Sequence, residues 1–183
     1  MARERKFSTD ELFQATKELL LSHGYEAFTF SLLADSLQVS RGALYKYYEN
    51  KEELITNYYF YEMDQYLLKL KQIDLHQGFE AQFNYLLNLM FSYSDIQKLI
   101  KIGQRVPDHE EKFKTLHTDM YQHLQKFVEL GKKEGKLKRD LPNNLILGYI
   151  FQSVAIPNHS NIPHPIWISS IKEIICHGMF INN

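Results

Sequence analysis

The segment from Val39 to Leu54 concentrates side chains that could bind an anionic polymer. It reads VSRGALYKYYENKEEL and combines the cations Arg41 and Lys46 with tyrosine hydroxyls and with the small residues Gly42 and Ala43. Cations and hydroxyls bind phosphate oxygens, and small residues allow a helix backbone to come close to a groove. Together, these residue types indicate recognition of a nucleic-acid backbone and of base edges in the major groove.

Two short capped helices would hold this segment in place. Thr29 precedes FSLLADSLQ and predicts the N-cap of a helix at about residues 30–37, and Ser40 predicts the cap of a second helix at about 41–48. Both helix N-termini, with their unpaired N–H groups, would then point towards the same region. A short helix, a tight turn and a second helix make a helix-turn-helix motif, here at about residues 29–48.

The rest of the chain also follows a helical pattern. Apolar residues recur at intervals of three and four, Ser8 and Glu11 offer a capping box, and Gly24 is expected to end the first helix as a left-handed cap. We therefore predict an all-α fold of about nine helices. They cover about residues 8–23, 30–37, 41–48, 51–72 and 79–93, then IQKLIKIGQR after Asp95, a long helix from Pro107-Asp108, and the last two at about 143–156 and 165–180, with Pro142 in the first turn of the eighth.

Composition limits the classes of function. The 183-residue chain has a net charge of −1, and residues 1–51 balance seven Lys and Arg against seven Asp and Glu, so DNA binding must depend on a local patch. Cys176 is the single cysteine, which excludes an intrachain disulfide and a cysteine-based metal cluster. The N-terminus lacks an apolar leader, and no stretch is long enough to span a membrane. We expect a soluble cytoplasmic protein.

The N-terminal region, at about residues 6–66, resembles the TetR/AcrR family of bacterial transcriptional regulators. The similarity lies in the first helix ending in HGYEAFTF and in LLADSLQVSRGALYKYYENKEEL. The matching positions are Gly24-Tyr25, Thr29, Ala34, Val39, Ser40, Gly42, Leu44, Tyr45, Tyr48 and Lys51. One departure is Gln38, where the family usually has glycine, so we expect either a slightly different turn or a strained left-handed conformation at Gln38.

The resemblance implies a helix-turn-helix DNA-binding domain at residues 6–66 and a ligand-binding and dimerisation domain at 67–183. It also implies that residues of the motif contact double-stranded operator DNA. These are Thr29, Ser31, Ser40, Arg41, Gly42, Ala43, Tyr45, Lys46, Tyr47 and Lys51. By analogy, Thr29, Tyr45, Tyr47 and Lys51 would mostly hold phosphates, whereas Arg41, Gly42, Ala43 and Lys46 would reach base edges.

Aromatic and methionine side chains in the C-terminal part allow two interpretations. They could fill a packed core, or they could line a pocket for an apolar or aromatic small-molecule inducer. The candidates are Tyr58, Tyr61, Phe83, Tyr85, Met90, Phe91, His117, Met120 and Tyr121. The last two apolar helices, at about 143–156 and 165–180, could pack internally or form the seam of a homodimer, and the resemblance favours the homodimer.

The function that the resemblance implies is ligand-responsive transcriptional regulation. We expect a repressor that a small inducer releases from its operator, and the alternative is a helical protein-interaction module without DNA binding. An enzyme is not expected, because no Gly-rich phosphate loop, nucleophile elbow or Cys-His arrangement occurs. His117 and His123 are six residues apart, which is not the spacing of a helical metal site. We expect neither a metal nor a cofactor.

Overall fold

The computed structural model describes residues 7–93 and 110–179 of the chain, and these ranges contain α-helices and one 3₁₀ helix without a β-strand. The elements are α1 (Thr9–Ala27), α2 (Phe30–Ser36), α3 (Arg41–Leu44), α4 (Lys51–Leu70), the 3₁₀ helix (Lys71–Leu75), α5 (Phe79–Ser92), α6 (Glu110–Lys133), α7 (Asn143–Val154) and α8 (His164–Met179). The predicted all-α fold is confirmed. The predicted helix after Asp95 and the predicted start at Pro107-Asp108 lie outside the described residues.

The described residues form two compact units. Residues 7–63 belong to the first unit, and residues 64–93 and 110–179 belong to the second. The division falls within α4, close to the boundary predicted between residues 66 and 67. The assignment of separate functions to the two units stays a prediction.

Local hydrogen bonds start the first helix, as the sequence predicts. The Ser8 hydroxyl accepts from the Glu11 N–H at 3.0 Å, and the Glu11 carboxylate accepts from the Ser8 N–H at 2.7 Å. Gly24 has a φ of 78°, which L side chains rarely adopt, and kinks the chain there. The helical turn resumes after the kink, so α1 ends at Ala27 rather than at residue 23.

The turn between α2 and α3 is built around Gln38. Its φ of 54° is left-handed, which is one of the two alternatives that the sequence leaves open at this position. The Val39 N–H donates to Ala34 O at 2.9 Å and the Gln38 N–H donates to Asp35 O at 3.1 Å, which is the pattern of a Schellman motif. A residue that is usually glycine is therefore replaced by glutamine without loss of the turn.

The predictions for α3 need two corrections. The helix covers Arg41–Leu44 rather than 41–48, because the Tyr47 N–H bonds to Leu44 O three residues back, at 2.9 Å, and tightens the chain into a turn. Ser40 occupies the N-cap position, but its side chain makes no capping hydrogen bond to any described residue. The Ala43 N–H instead bonds to the backbone oxygen of Ser40 at 2.9 Å, so the backbone alone closes the first turn.

The first unit has a single core to which each of its helices contributes. Its buried residues include Leu12, Phe13, Phe28, Leu33, Leu44, Leu54, Ile55 and Tyr58. The Asn50 side chain accepts from the Glu53 N–H at 2.8 Å and caps the start of α4. The buried Leu44 attaches α3 to this core.

The second unit packs α5 against α6. The rings of Phe79 and Phe127 stack with their centroids 4.9 Å apart. Gly131 allows this close approach, because an added Cβ would lie 2.6 Å from the Phe79 ring. The Glu134 carboxylate accepts from the Phe79 N–H at 3.0 Å and so caps α5 from the end of α6.

The last two helices begin close to their predicted positions. Pro142 is the N-cap of α7, one residue before the first turn in which the sequence places it. Helix α8 begins at His164. Among the described residues, no helix has both the length and the hydrophobicity that crossing a membrane requires.

Candidate nucleic-acid interface

Helix α3 has one buried and one exposed side. Leu44 is fully buried in the core of the first unit, and Tyr48 packs partly against the same core. Arg41, Gly42 and Lys46 are exposed on the other side. The exposed side therefore has two cations and no large aliphatic side chain, which is a profile that fits a DNA groove.

Ala43 lies between these two sides. The sequence places it on the outer side with Gly42 and Lys46, but the structure shows it half-buried and packed against the core. The difference arises because α3 is a single short turn, so a residue at its flank already touches the neighbouring core. Only part of the Ala43 methyl surface remains accessible.

Two exposed tyrosines next to α3 rest on phenylalanines. The ring of Tyr45, which is 57% exposed, lies 4.9 Å from the ring of Phe30. The ring of Tyr47, 42% exposed, meets the buried Phe7 edge-on with the centroids 5.7 Å apart. These contacts restrict the orientation of the rings while their surfaces stay accessible.

The hydroxyl residues of the motif are all exposed. Thr29 Oγ1 accepts from the Leu32 N–H at 3.3 Å, which confirms the predicted cap of α2. Ser31 lies in the first turn of α2, and Ser40 precedes α3. Thr29 therefore already has a structural role in addition to its predicted contact with DNA.

Lys51 makes contacts that the sequence did not indicate. Its Nζ donates to Tyr25 O at 3.3 Å and lies 4.7 Å from the centroid of the Tyr25 ring. The Tyr25 hydroxyl in turn donates to Glu52 at 3.4 Å. Burial and, to a smaller extent, the neighbouring Glu52 carboxylate raise the pKa of Tyr25. The family pattern includes Gly24-Tyr25, but a single sequence gives no sign that Tyr25 pairs with a residue 26 positions later.

The candidate pocket residues lie in different units. Tyr58 and Tyr61 pack against Phe13 of the first unit, with ring centroids 5.7 Å and 5.0 Å apart, and the Tyr61 hydroxyl donates to Asp10 at 3.0 Å. Their positions favour a packing role. Phe83 belongs to the second unit and stacks with Phe79.

The remaining candidates in the second unit have mixed surroundings. Met90 and Phe91 are buried, and the Tyr85 hydroxyl donates to Lys69 O at 2.6 Å. Met120 is half-buried and Tyr121 is 47% exposed. The side chain of His117 lies outside the described residues. Within the described ranges, no group of three or more His, Cys, Asp or Glu side chains could hold a metal ion.

Helices α7 and α8 expose large apolar side chains. Leu145 is 60% exposed and Ile174 is 59% exposed, and Tyr149, Ile156 and Ile166 are about half exposed. A shallow groove on the same surface is lined by Tyr149, Gln152, Ser153, Ile156, Ile171 and Ile174. Exposed apolar surface of this kind is typical of an interface between proteins.

Comparison with known proteins agrees with this geometry. Residues 12–57 match the family model described as "Bacterial regulatory proteins, tetR family". None of the curated proteins matches the chain.

Solved structures are similar over nearly the whole chain. A tetR-family regulatory protein from Rhodococcus RHA1 has a TM-score of 0.75 at 18% identity and covers 97% of this chain and 100% of its own. The ketosteroid regulator KstR2 of Mycobacterium tuberculosis has a TM-score of 0.73 at 18% identity, with coverage of 100% and 98%. FadR from Bacillus subtilis, solved with stearoyl-CoA, has a TM-score of 0.70 at 19% identity, with coverage of 93% and 99%.

The helix-turn-helix unit and its exposed cationic helix define a DNA-binding transcriptional regulator. Residues 12–57 therefore place the first unit with the tetR family of bacterial regulatory proteins. The alternative interpretation, a protein-interaction module without DNA binding, is not favoured.

Proposed function

We propose that this regulator is a homodimeric repressor that binds operator DNA through α3 and leaves it when a small molecule binds the second unit. The observation that carries the proposal is the exposed side of α3, where Arg41 and Lys46 flank Gly42 while Leu44 anchors the helix in the core. Arg41, Gly42, Lys46 and the accessible part of Ala43 would face base edges. The hydroxyl side chains of the motif would bind phosphates; these are Thr29, Ser31, Ser40, Tyr45 and Tyr47.

The exposed apolar side chains of α7 and α8 support the homodimer. Burying them against a second copy removes apolar surface from water, which is favourable in proportion to the area buried. A two-fold pair of α3 helices about 34–36 Å apart would fit successive major grooves on one side of the duplex. A monomer would present only one such helix.

A ligand would act by shifting a conformational equilibrium. If it binds better to a dimer with a different spacing of the α3 helices, it lowers operator affinity by the ratio of its affinities for the two states. The inducer class that we propose is an apolar or aromatic small molecule, because the buried side chains of the second unit are mainly aliphatic and include Met90 and several aromatic residues. FadR from Bacillus subtilis was solved with stearoyl-CoA, so an acyl-CoA is a reasonable first compound to test.

The proposed DNA contacts can be tested with selected DNA. DNA fragments retained by the purified protein would be sequenced, and the affinity for the enriched sequence would be measured by fluorescence anisotropy. Arg41→Ala and Lys46→Ala should each weaken binding by about tenfold or more and relax the preference for the enriched sequence. Arg139→Ala, at an exposed position of the second unit, is the matched control.

Wild-type affinity that is equal for enriched and scrambled DNA would contradict the proposal and favour the interaction module. If both variants bind DNA with wild-type affinity, the DNA-binding interface lies outside α3.

A further inference from the structure

Tyr25 is attached to the first two residues of α4. Lys51 Nζ donates to its backbone oxygen at 3.3 Å and lies 4.7 Å from its ring centroid, and the Tyr25 hydroxyl donates to Glu52 at 3.4 Å. We call the contacts between Tyr25 and Lys51 the clamp. They join the last turn of α1 to the first turn of α4, because α1 ends at Ala27 and α4 begins at Lys51.

The clamp closes the base of the DNA-binding motif. The chain between its two residues contains all of α2 and α3, so both helices are held between the joined ends. A contact that closes a loop limits the positions that the enclosed segment can adopt. The clamp is therefore well placed to control how α3 is presented to a partner.

The position of Lys51 also indicates that its ammonium group serves as a hydrogen-bond donor to α1. A cation in the first turn of a helix is disfavoured by the helix dipole, whereas a cation near the last turn is favoured. Lys51 is the first residue of α4, but its ammonium group reaches a backbone oxygen in the last turn of α1. The Tyr25 oxygen, just after the kink at Gly24, therefore gives this ammonium group an acceptor that the N-terminal end of its own helix does not offer.

We propose that Lys51 is a positioning residue, which raises DNA affinity by fixing the ends of the helix-turn-helix segment through Tyr25 and not by binding a phosphate. The inference rests on the proposed DNA binding. It replaces the expectation that Lys51 mainly contacts the DNA backbone.

Salt dependence distinguishes the two roles. A lysine that neutralises a phosphate releases counterions, so its loss reduces the slope of log affinity against log salt concentration by about 0.9. Loss of a positioning lysine lowers the affinity at each salt concentration but leaves the number of phosphate contacts, and hence the slope, unchanged. Lys51→Met removes the ammonium group and keeps most of the side-chain length.

The experiment measures DNA affinity by anisotropy at several salt concentrations for five variants, of which Tyr25→Phe is the last. Lys51→Met and Tyr25→Leu should each lower the affinity by roughly three- to tenfold with the wild-type slope. Their double variant should lose no more than Lys51→Met alone, because Lys51→Met already removes both the hydrogen bond to the Tyr25 backbone oxygen and the contact with the Tyr25 ring. Lys46→Met, at an exposed position just after α3, is the matched control. It removes a cation that the proposed function places at base edges, so it should relax the preference for the enriched sequence, which Lys51→Met should leave unchanged.

Two results would overturn the proposal. One is a slope whose magnitude falls by about 0.9 in Lys51→Met, as the loss of a phosphate contact would give. The other is wild-type affinity in Tyr25→Leu. Tyr25→Phe keeps the ring and the backbone oxygen, so wild-type affinity is expected there even if the leucine variant folds poorly.

Amide hydrogen exchange tests the clamp independently of DNA. Lys51→Met should lower protection in the last turn of α1 and the first turn of α4, and Lys46→Met should not. Equal protection in Lys51→Met and the wild type would overturn the clamp. If the wild-type protein binds no DNA, the proposed function fails, and reduced protection would still support the structural part of the inference.

Discussion

Neither the backbone conformation nor the packing of the protein requires a glycine at position 42. It lies in the helix α3 without a positive φ, and an added Cβ would meet no described atom within 4 Å. Alanine is favoured over glycine inside helices by up to about 1 kcal/mol. Gly131 is the opposite case, because the Phe79 ring leaves no space for a Cβ there. The open space at Gly42 agrees with the proposed close approach of DNA to the backbone of α3.

Gly42→Ala should separate stability from DNA binding. We expect the free energy of unfolding to stay equal or rise by up to about 1 kcal/mol, because the helix gains a better former in open space. DNA affinity should fall at least severalfold, because the methyl group holds the backbone away from the groove. Thermal unfolding and anisotropy with the same preparation measure both effects. Wild-type affinity in this variant would show that the closest approach lies elsewhere.

At the scale of the elements, the sequence predicts features that depend on neighbouring residues. The capping box of Ser8 and Glu11, the cap at Thr29 and the left-handed Gln38 all involve bonds within a few positions. The cap of α5 by Glu134 could not be predicted, because its partner Phe79 is 55 positions away. The end of α3 at Leu44 was also missed, because the following tyrosines fit a helix by pattern but are held in a turn.

The capping box of α1 should make stability depend on pH. The hydrogen bonds from the Ser8 backbone N–H and, to a smaller extent, from its hydroxyl lower the pKa of Glu11 below its ordinary value of 4.5. The stabilisation is therefore complete above that value and is lost as the pH falls through the lowered pKa of the folded state. Urea unfolding at about pH 6 and about pH 3.5 measures it.

Glu11→Gln is the control for this prediction, because glutamine keeps a bond to the Ser8 N–H without a titrating group. The wild type should exceed this variant in free energy of unfolding at the higher pH, and the difference should shrink at the lower one. A difference that is the same at both pH values would contradict a role for the Glu11 charge.

At the scale of the whole molecule, the helical spacing of apolar residues predicts the fold class. It does not predict which core each aromatic side chain joins. Tyr58, Tyr61 and Phe83 all lie on helices with similar apolar patterns, and the pattern does not tell which core each one joins. The structure places Tyr58 and Tyr61 with Phe13 and places Phe83 with Phe79. Membership of a core depends on tertiary contacts, which periodicity does not encode.

The exposed apolar face of α7 and α8 leads to the prediction with the largest expected effect. Leu145 is 60% exposed, and Gly148 lies next to it on α7, where an added Cβ would meet no described atom within 4 Å. A second copy could therefore approach this helix closely. Leu145→Glu would place a charge in the proposed dimer seam, and burial of an unpaired charge is very costly.

We expect Leu145→Glu to be monomeric in analytical ultracentrifugation at micromolar concentration and to bind a two-half-site operator about a hundredfold or more weakly, since the second half-site no longer benefits from linkage. Leu75→Glu is the matched control, because Leu75 is 83% exposed on the 3₁₀ helix, away from this face in sequence. Affinity for a single half-site should be similar in both variants. A dimeric Leu145→Glu protein with full operator affinity would mean that another surface joins the two copies, because a buried glutamate could not persist in the seam without a large loss of association free energy.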